Sequence, residues 1–311
     1  MRRLPKQLYL LVAAAVVLGF LLRQVDRQTS DANITILEAE LIQSIPTIPN
    51  LAGWPQGFLD ELKNVHGEFQ DTDGKLSALA SLGELYLANG FYGEARQCFT
   101  SLVVLDSENP RWPYFLGITT RDYSDKRIAI DAFERAIRLT GDYLNIRYEL
   151  GSTYVASGHI LDSELHFLAL NEVDEWKPWA RFGLARGYAA EGRYREAKEQ
   201  LEMAISRENE ARSIFALLNE AAIAKGDRAL ASEARSKRDS LAFDKTPYDP
   251  WIQSLWSRCF DPIRLTRLAL AEVLNGDRQQ AAQIIERAES VAELPESIEV
   301  EALIELLEQR D

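Results

Sequence analysis

A step of 34 residues runs through this chain and constrains its fold more than any other feature. Gly83, Gly117 and Gly151 stand one step apart, and Ala185 takes the next. Leu82, Leu116, Leu150, Leu184 and Leu218 keep the same step. Tyr86, Tyr154 and Tyr188 share a column with Thr120, and Gly90, Gly158, Gly192 and Gly226 share another with Ser124. Ala95, Ala129, Ala197 and Ala231 align with Ser163; Phe99, Phe133 and Phe167 align with Leu201; Leu102, Ala136, Leu170 and Ala204 close the pattern. Self-similarity at such a period means a repeat architecture, in which one unit cannot bury its own apolar face and neighbours must stack.

Within a unit the apolar residues recur at helical spacing, as in Leu79, Leu82 and Tyr86, then Ala95, Phe99 and Leu102. The spacing predicts two helices. Glycine in the Gly90 column supplies the positive-φ turn that ends the first. A small residue in the Gly83 column lets the helices approach closely. Asn109-Pro110, Asp249-Pro250 and Asp261-Pro262 read as N-caps followed by proline at the first helical position, and Pro178 takes that position in its unit. The aromatic columns are core positions.

These columns resemble the tetratricopeptide repeat: a Leu-Gly pair, Tyr three residues on, Gly at the turn, and Ala, Phe and Ala down the second helix. The likeness covers residues 76–245 in five units, 76–109, 110–143, 144–177, 178–211 and a weaker 212–245. In the last of these Asn219, Ala222, Arg235 and Arg238 replace the expected types. A sixth unit shows at 262–295 through Leu268, Ala269, Gly276, Ala281, Ile285 and Ala288. The resemblance implies an all-α, right-handed α/α superhelical solenoid of helix hairpins.

The N-terminus is a separate object. Leu8 to Leu22 form an unbroken apolar run, preceded by Arg2, Arg3 and Lys6 and followed by Arg23 and Arg27. Such a run is a signal peptide or a short membrane anchor. The small residues needed for cleavage, Ala13 to Ala15, lie inside the run, which favours a retained transmembrane helix over residues 1–27. The basic excess on its N-terminal side places that end in the cytoplasm and the body outside it, as a single-pass inner-membrane protein with its repeats in the periplasm or extracytoplasmic space.

Residues 28–50, with short helical periodicity from Ile34 to Ile42, read as a stalk, and 51–75 as an N-terminal cap. Asn33-Ile34-Thr35 is a glycosylation sequon, relevant only in a eukaryotic secretory setting. The insertion 246–261 is the most aromatic stretch. It packs as an extra helix with Trp251, Leu255 and Cys259 on one stripe, or it presents Tyr248, Trp251, Trp256 and Phe260 as a second partner surface. From Pro295 onward an amphipathic helix with an acidic face reads as a C-terminal cap.

Chemistry is absent from the motifs. There is no phosphate loop, His-Glu-x-x-His, Gly-x-Ser-x-Gly or haem-attachment signature. His66, His159 and His166 are too few for a histidine-rich metal centre, and no catalytic residue, metal or cofactor is expected. Cys98 and Cys259, about five units apart along a regular solenoid, are expected to be buried free thiols. A net charge of −13 disfavours nucleic acid. That charge is uneven: residues 1–27 hold five basic and one acidic residue, and positions 289–311 hold eight acidic and one basic.

The resemblance implies that first helices line a concave groove. Its ligand-contacting positions map to Arg111, Tyr114 and Arg121; Asn145, Tyr148 and Ser152; Trp179, Phe182 and Arg186; and Ser213 and Glu220. Arginine and aromatic side chains suit an extended peptide with carboxylates, although some of these rings could instead pack between units. The Lys/Asn arrangement that clamps chaperone tails in some family members is not reproduced. The expected function is a non-enzymatic, membrane-anchored scaffold for a protein or peptide partner, with no small-molecule substrate. An assembly factor or holdase for exported proteins or cytochromes, and an accessory subunit of a membrane enzyme, are the alternatives.

Overall fold

Each 34-residue window holds two helices, and the glycine columns explain why they pack as they do. The computed structural model describes residues 45–69, 75–122, 126–141, 143–205, 211–241 and 244–291. The expected membrane helix, the sequon and the C-terminal capping helix lie outside these residues. Among the described residues no helix is long and apolar enough to cross a membrane.

Helix α1 spans Gln56–Glu68. Five hairpins follow: α2 Lys75–Ala88 with α3 Tyr92–Leu105, α4 Arg111–Thr120 with α5 Lys126–Leu139, α6 Leu144–Ala156 with α7 Ile160–Asn171, α8 Lys177–Ala190 with α9 Tyr194–Ala204, and α10 Arg212–Ala224 with α11 Arg228–Ser240. Helix α1 packs on α2, and the second helix of each hairpin packs on the first helix of the next. The described residues contain no strand.

The turn chemistry repeats with the period. Gly90, Gly158, Gly192 and Gly226 all adopt positive φ, between 71° and 80°. In each case the amide one residue beyond the glycine donates to a carbonyl five residues back: Phe91 to Tyr86 at 3.0 Å, His159 to Tyr154 at 2.9 Å, Arg193 to Tyr188 at 2.8 Å and Asp227 to Ala222 at 2.9 Å. This is the Schellman arrangement, which satisfies carbonyls orphaned at a helix end. It reverses the chain within a few residues, so the second helix lies back along the first.

Between paired helices the Gly83 column sets the distance. A Cβ added at Gly83 would stand 3.0 Å from Cys98 and Phe99, and one at Gly117 would stand 2.4 Å from the Phe133 ring. At Gly151 it would meet Phe167 at 2.9 Å. The rings of Phe99, Phe133 and Phe167 are fully buried, as are Leu82 and Leu150. The aromatic columns are therefore core, filling the space that glycine leaves. At the first junction Phe99 stacks on Trp112, whose indole N–H donates to Asp106 at 2.7 Å. In the weaker fifth unit Asn219 is buried, with its amide donating to the Ala231 carbonyl at 2.6 Å. A polar residue in an apolar column is thus tolerated because it is bonded.

The sixth hairpin departs from a simple stack. After α11 the chain does not run straight into another repeat. Residues 244–261 form a strap with only short helical pieces, α12 Pro250–Gln253 and a 3-10 turn Trp256–Arg258. The sixth pair follows, α13 Pro262–Asn275 and α14 Arg278–Val291. It reaches back to the start of the solenoid. Arg264 of α13 donates to the Tyr92 hydroxyl at 2.8 Å and covers that ring. Arg287 of α14 lies over Phe260, 4.7 Å from the ring centroid, and Phe260 in turn meets Phe58 of α1.

Replacing Gly117 with alanine puts a methyl group into the Phe133 ring. The gain in helix propensity, about 1 kcal/mol, is outweighed by overpacking of about 1–3 kcal/mol. Gly117→Ala is expected to lower the urea midpoint. An unchanged or raised midpoint would show that the close approach is not a constraint.

Candidate functional site: a first-helix face occupied by the chain itself

The strap crosses the face made by the first helices, running backwards from the fifth unit to α1. Asp249 is its principal anchor. The side chain caps α12, accepting from the amides of Trp251 at 3.0 Å and Ile252 at 3.2 Å. The same carboxylate accepts short hydrogen bonds from the hydroxyls of Tyr114 and Tyr143. Trp251 stacks on Tyr143 with centroids 3.8 Å apart and meets the edge of Tyr114 at 5.4 Å. One residue earlier, the Tyr248 carbonyl accepts from the Asn145 amide at 2.8 Å.

Further along, Arg111 reaches Ser254 at 3.5 Å and Glu84 at 3.1 Å. Arg258 donates to the Ser81 hydroxyl at 2.7 Å and to its carbonyl at 3.0 Å. Asn89 is buried and holds the strap's backbone from both sides. Its amide donates to the Arg258 carbonyl at 2.8 Å, and its oxygen accepts from the Phe260 amide at 2.6 Å. Phe260 closes the path against Phe58 and Gly57 of α1.

These contacts pack the insertion against the repeats: Tyr248, Trp251, Trp256 and Phe260 are all half-buried, and Leu255 and Cys259 are buried. The insertion is not one helix with a stripe. Two prolines and an acidic cap confine its regular helical structure to single turns. Asp249 and Asp261 are N-caps, as the Asp-Pro spacing predicts. Both thiols are free and buried, and burial raises their pKa to about 12 for Cys98 and about 11 for Cys259. The supposed distance of five units between them is corrected, because the strap returns Cys259 to the neighbourhood of the first hairpin.

The other predicted groove positions divide into four groups. Tyr114 and Asn145 lie under the strap, with Tyr114 fully buried. Phe182 and Trp179 turn to the packing between the fourth and fifth units, where Phe182 joins a core cluster with Leu201, Ile214 and Phe215. Trp179 packs on the same cluster and meets Tyr148 edge-on at 6.5 Å. Arg121, Tyr148, Ser152 and Arg186 line a cavity of about 580 Å³ that remains open beside the strap. Its far wall is made of Thr246, Pro247 and residues of α13. Ser213 bonds to Asp244 where the strap begins, and Glu220 is exposed and outside the cavity wall.

The expectation of a basic groove is only partly met. Arg121 is locked to Glu149 and reaches Asp122 at 3.3 Å, and Arg111 is paired with Glu84. Arg186 differs. It donates to the Ser152 hydroxyl at 3.3 Å, faces the Tyr148 hydroxyl and covers the Phe182 ring, all neutral groups. Tyr148 is pushed up to about 12, chiefly by burial, so it stays protonated at any physiological pH. Glu84, Asn89, Tyr143, Glu149 and Asp249 were not picked as site residues from the sequence. Asp249 and Tyr143 each carried a local signal, an N-cap and a unit boundary, but neither signal points across the fold.

The histidines form no centre. His159 and His166 stack on the two sides of Tyr154, whose hydroxyl donates to Glu134 at 2.7 Å. Among the described residues no group of three or more His, Cys, Asp or Glu is placed to hold a metal ion.

Paired helices, Schellman glycines on a 34-residue step and ring-over-glycine packing coincide with a solved architecture. A tetratricopeptide repeat protein from Parabacteroides merdae superposes over 87% of this chain and 98% of its own, at 16% identity and a TM-score of 0.52. The chain has the tetratricopeptide-repeat fold. Weaker likenesses extend to MamA from Desulfovibrio magneticus (17% identity, 53% of this chain and 94% of that one, TM-score 0.47) and to YrrB, described as a tetratricopeptide-repeat protein with an unusual peptide-binding site (19% identity, 58% and 84%, TM-score 0.44). No protein-family model matches the sequence, and none of the curated proteins does. The repeats supply the first-helix face, and the strap lies on it.

The strap is tied to the sixth tetratricopeptide-repeat unit by Tyr248, whose hydroxyl donates to both oxygens of Glu272 at 3.0 Å. Glu272 is fully buried, and Gln280 donates to it at 3.0 Å. Burial raises its pKa above the ordinary glutamate value of 4.5, against the opposing pull of Tyr248. The folded chain therefore holds this proton longer than the unfolded chain. Stability contributed here falls as pH rises from the unfolded value through the raised one. Glu272→Gln is expected to flatten the fall of the melting temperature as pH rises above the ordinary glutamate value of 4.5. Parallel curves for the two proteins would contradict the assignment.

Proposed function

We propose that this protein is a non-enzymatic scaffold that holds a segment of a protein partner on its first-helix face. One observation carries the reading: that face already holds a segment that belongs to no hairpin, residues 244–261, through the devices that bind peptides. These are side-chain clamps on backbone groups at Asn89 and Asn145, an aromatic slot at Tyr114 and Tyr143, and hydroxyl donors for a carboxylate. Such donors fix register and orientation, and the aromatic slot supplies most of the binding energy.

The part of the face left uncovered is the cavity beside the strap, and Arg186 lines it on the repeat side with a hydroxyl rather than a carboxylate as its hydrogen-bond partner. A partner entering there meets a guanidinium whose present neighbours are a hydroxyl and two rings. That suits an acidic group, since a charge-assisted bond replaces neutral ones. The apolar run from Leu8 to Leu22, with its basic flanks, supports a membrane anchor that presents the repeats on the extracytoplasmic side.

Affinity capture with the full-length chain, read by mass spectrometry, tests the reading. Arg186→Glu is expected to reduce recovery of the bound partner about ten-fold or more, because it places a carboxylate where an acidic group would sit. Undiminished recovery of every partner would remove the groove from consideration. A C-terminal reporter active only outside the cytoplasm is expected to be active; cytoplasmic activity would reject the anchored topology.

A further inference from the structure

We infer that the strap is an exchangeable internal ligand, and that the partner is a short segment with a carboxylate two residues before a large aromatic ring. The inference rests on the first-helix face being the partner site, and it names what that site reads.

The donors beneath the strap specify the class. Tyr114 is fully buried, and its hydroxyl points at Asp249. Tyr143 points at the same carboxylate, and the buried Asn145 at the carbonyl before it. Any occupant lacking these acceptors would strand buried donors, which costs more than an unmade surface contact. An occupant with an acid, a carbonyl one residue earlier and a ring two residues later satisfies all of them. Trp251 between Tyr143 and Tyr114 shows the size of ring the slot admits. Downstream, the Asn89 clamp reads backbone only and accepts any sequence.

The architecture allows the exchange. Residues 244–261 belong to no hairpin, and their helical pieces are only four and three residues long. The hairpins on either side, α10 with α11 and α13 with α14, are packed pairs in their own right. The strap can therefore leave without dissolving a repeat. The open cavity adjoins Asp249 and Ile252, so an incoming segment can settle beside Arg186 before the strap's anchor is released. A tethered strap competes at an effective concentration of order millimolar, so a free segment binds the intact chain weakly and a strap-weakened chain strongly.

The test uses a fluorescein-labelled synthetic peptide of residues 244–261, with Cys259→Ser to prevent oxidation, and the full chain. Trp251→Ala and the nearly isosteric Asp249→Asn weaken the internal strap; Asp249→Asn serves if Trp251→Ala fails to keep its helical circular dichroism. Fluorescence anisotropy is expected to show the peptide binding the weakened chains at least about ten-fold tighter than the unaltered chain. Adding Tyr143→Ala to the weakened chain, or replacing the peptide's own acid or first tryptophan with alanine, is expected to abolish the gain. Binding to neither form, equal binding to both, or a gain that survives Tyr143→Ala would each overturn the inference. These outcomes stay distinct from failure of the scaffold reading. If partner capture still depends on Arg186 while the peptide does not exchange, the groove stands and the strap is a fixed part. If capture ignores Arg186 while the peptide does exchange, the strap moves but the face is not where the partner binds, and the inference falls with the reading.

Discussion

A helix hairpin has two broad faces, and in a stack each helix can pass most of its apolar surface to a neighbour. The first helices cannot pass on everything. Their inward face carries Tyr114, Asn145 and Asn89, residues whose polar ends need partners once water is excluded. The one carboxylate of Asp249 resolves much of this need. It takes two backbone amides of its own strap and two hydroxyls from the repeats. Each hydrogen bond to a charged acceptor contributes about 1.5–3 kcal/mol. Ordering the strap costs about 1–2 kcal/mol of backbone entropy per residue, so such an anchor is needed to hold it.

The same network fixes protonation. Burial and the neighbouring Asp249 raise the phenols of both Tyr114 and Tyr143 well above their ordinary range. They remain donors at every pH at which the chain is folded. The slot therefore prefers a charged acceptor over a neutral amide of the same shape, and it does so without titrating. Arg111 acts differently, since its charge is spent on Glu84, which also lies 3.9 Å from Arg258 of the strap. Glu84 thus joins the second unit to the strap through two guanidinium groups.

What the sequence disclosed follows the range of the interactions. The helix pairs, their glycine turns and the ring-over-glycine columns all lie within about 34 residues of one another, and they appear as periodicity. The Asp-Pro caps are more local still and were equally legible. Asp249 and Tyr114 are 135 positions apart, and no repeat or spacing connects them. The groove positions could be located on the first helices, but not what covers them. Phe182 illustrates the same limit: its column position implied a surface, and its ring was taken by the fourth-to-fifth junction because large apolar rings go where burial is most complete. The sixth hairpin was recognisable by its residues; its place in space was not legible, since its position depends on the strap.

The charge pattern bears on the proposed recognition of a partner. Outside the N-terminal segment the chain holds 30 basic and 47 acidic residues, so its long-range field repels an acidic partner at low salt. At physiological ionic strength that field decays over about 8 Å. Recognition of an acid is then left to groups in direct contact: Arg186, and the tyrosine hydroxyls under Asp249. Under the proposed exchange, association would be slow to start and specific once made, because discrimination would come from buried donors rather than from steering. A basic surface would attract any acidic chain. The proposed occupant is instead one that brings its carboxylate, its carbonyl and its ring in the right order.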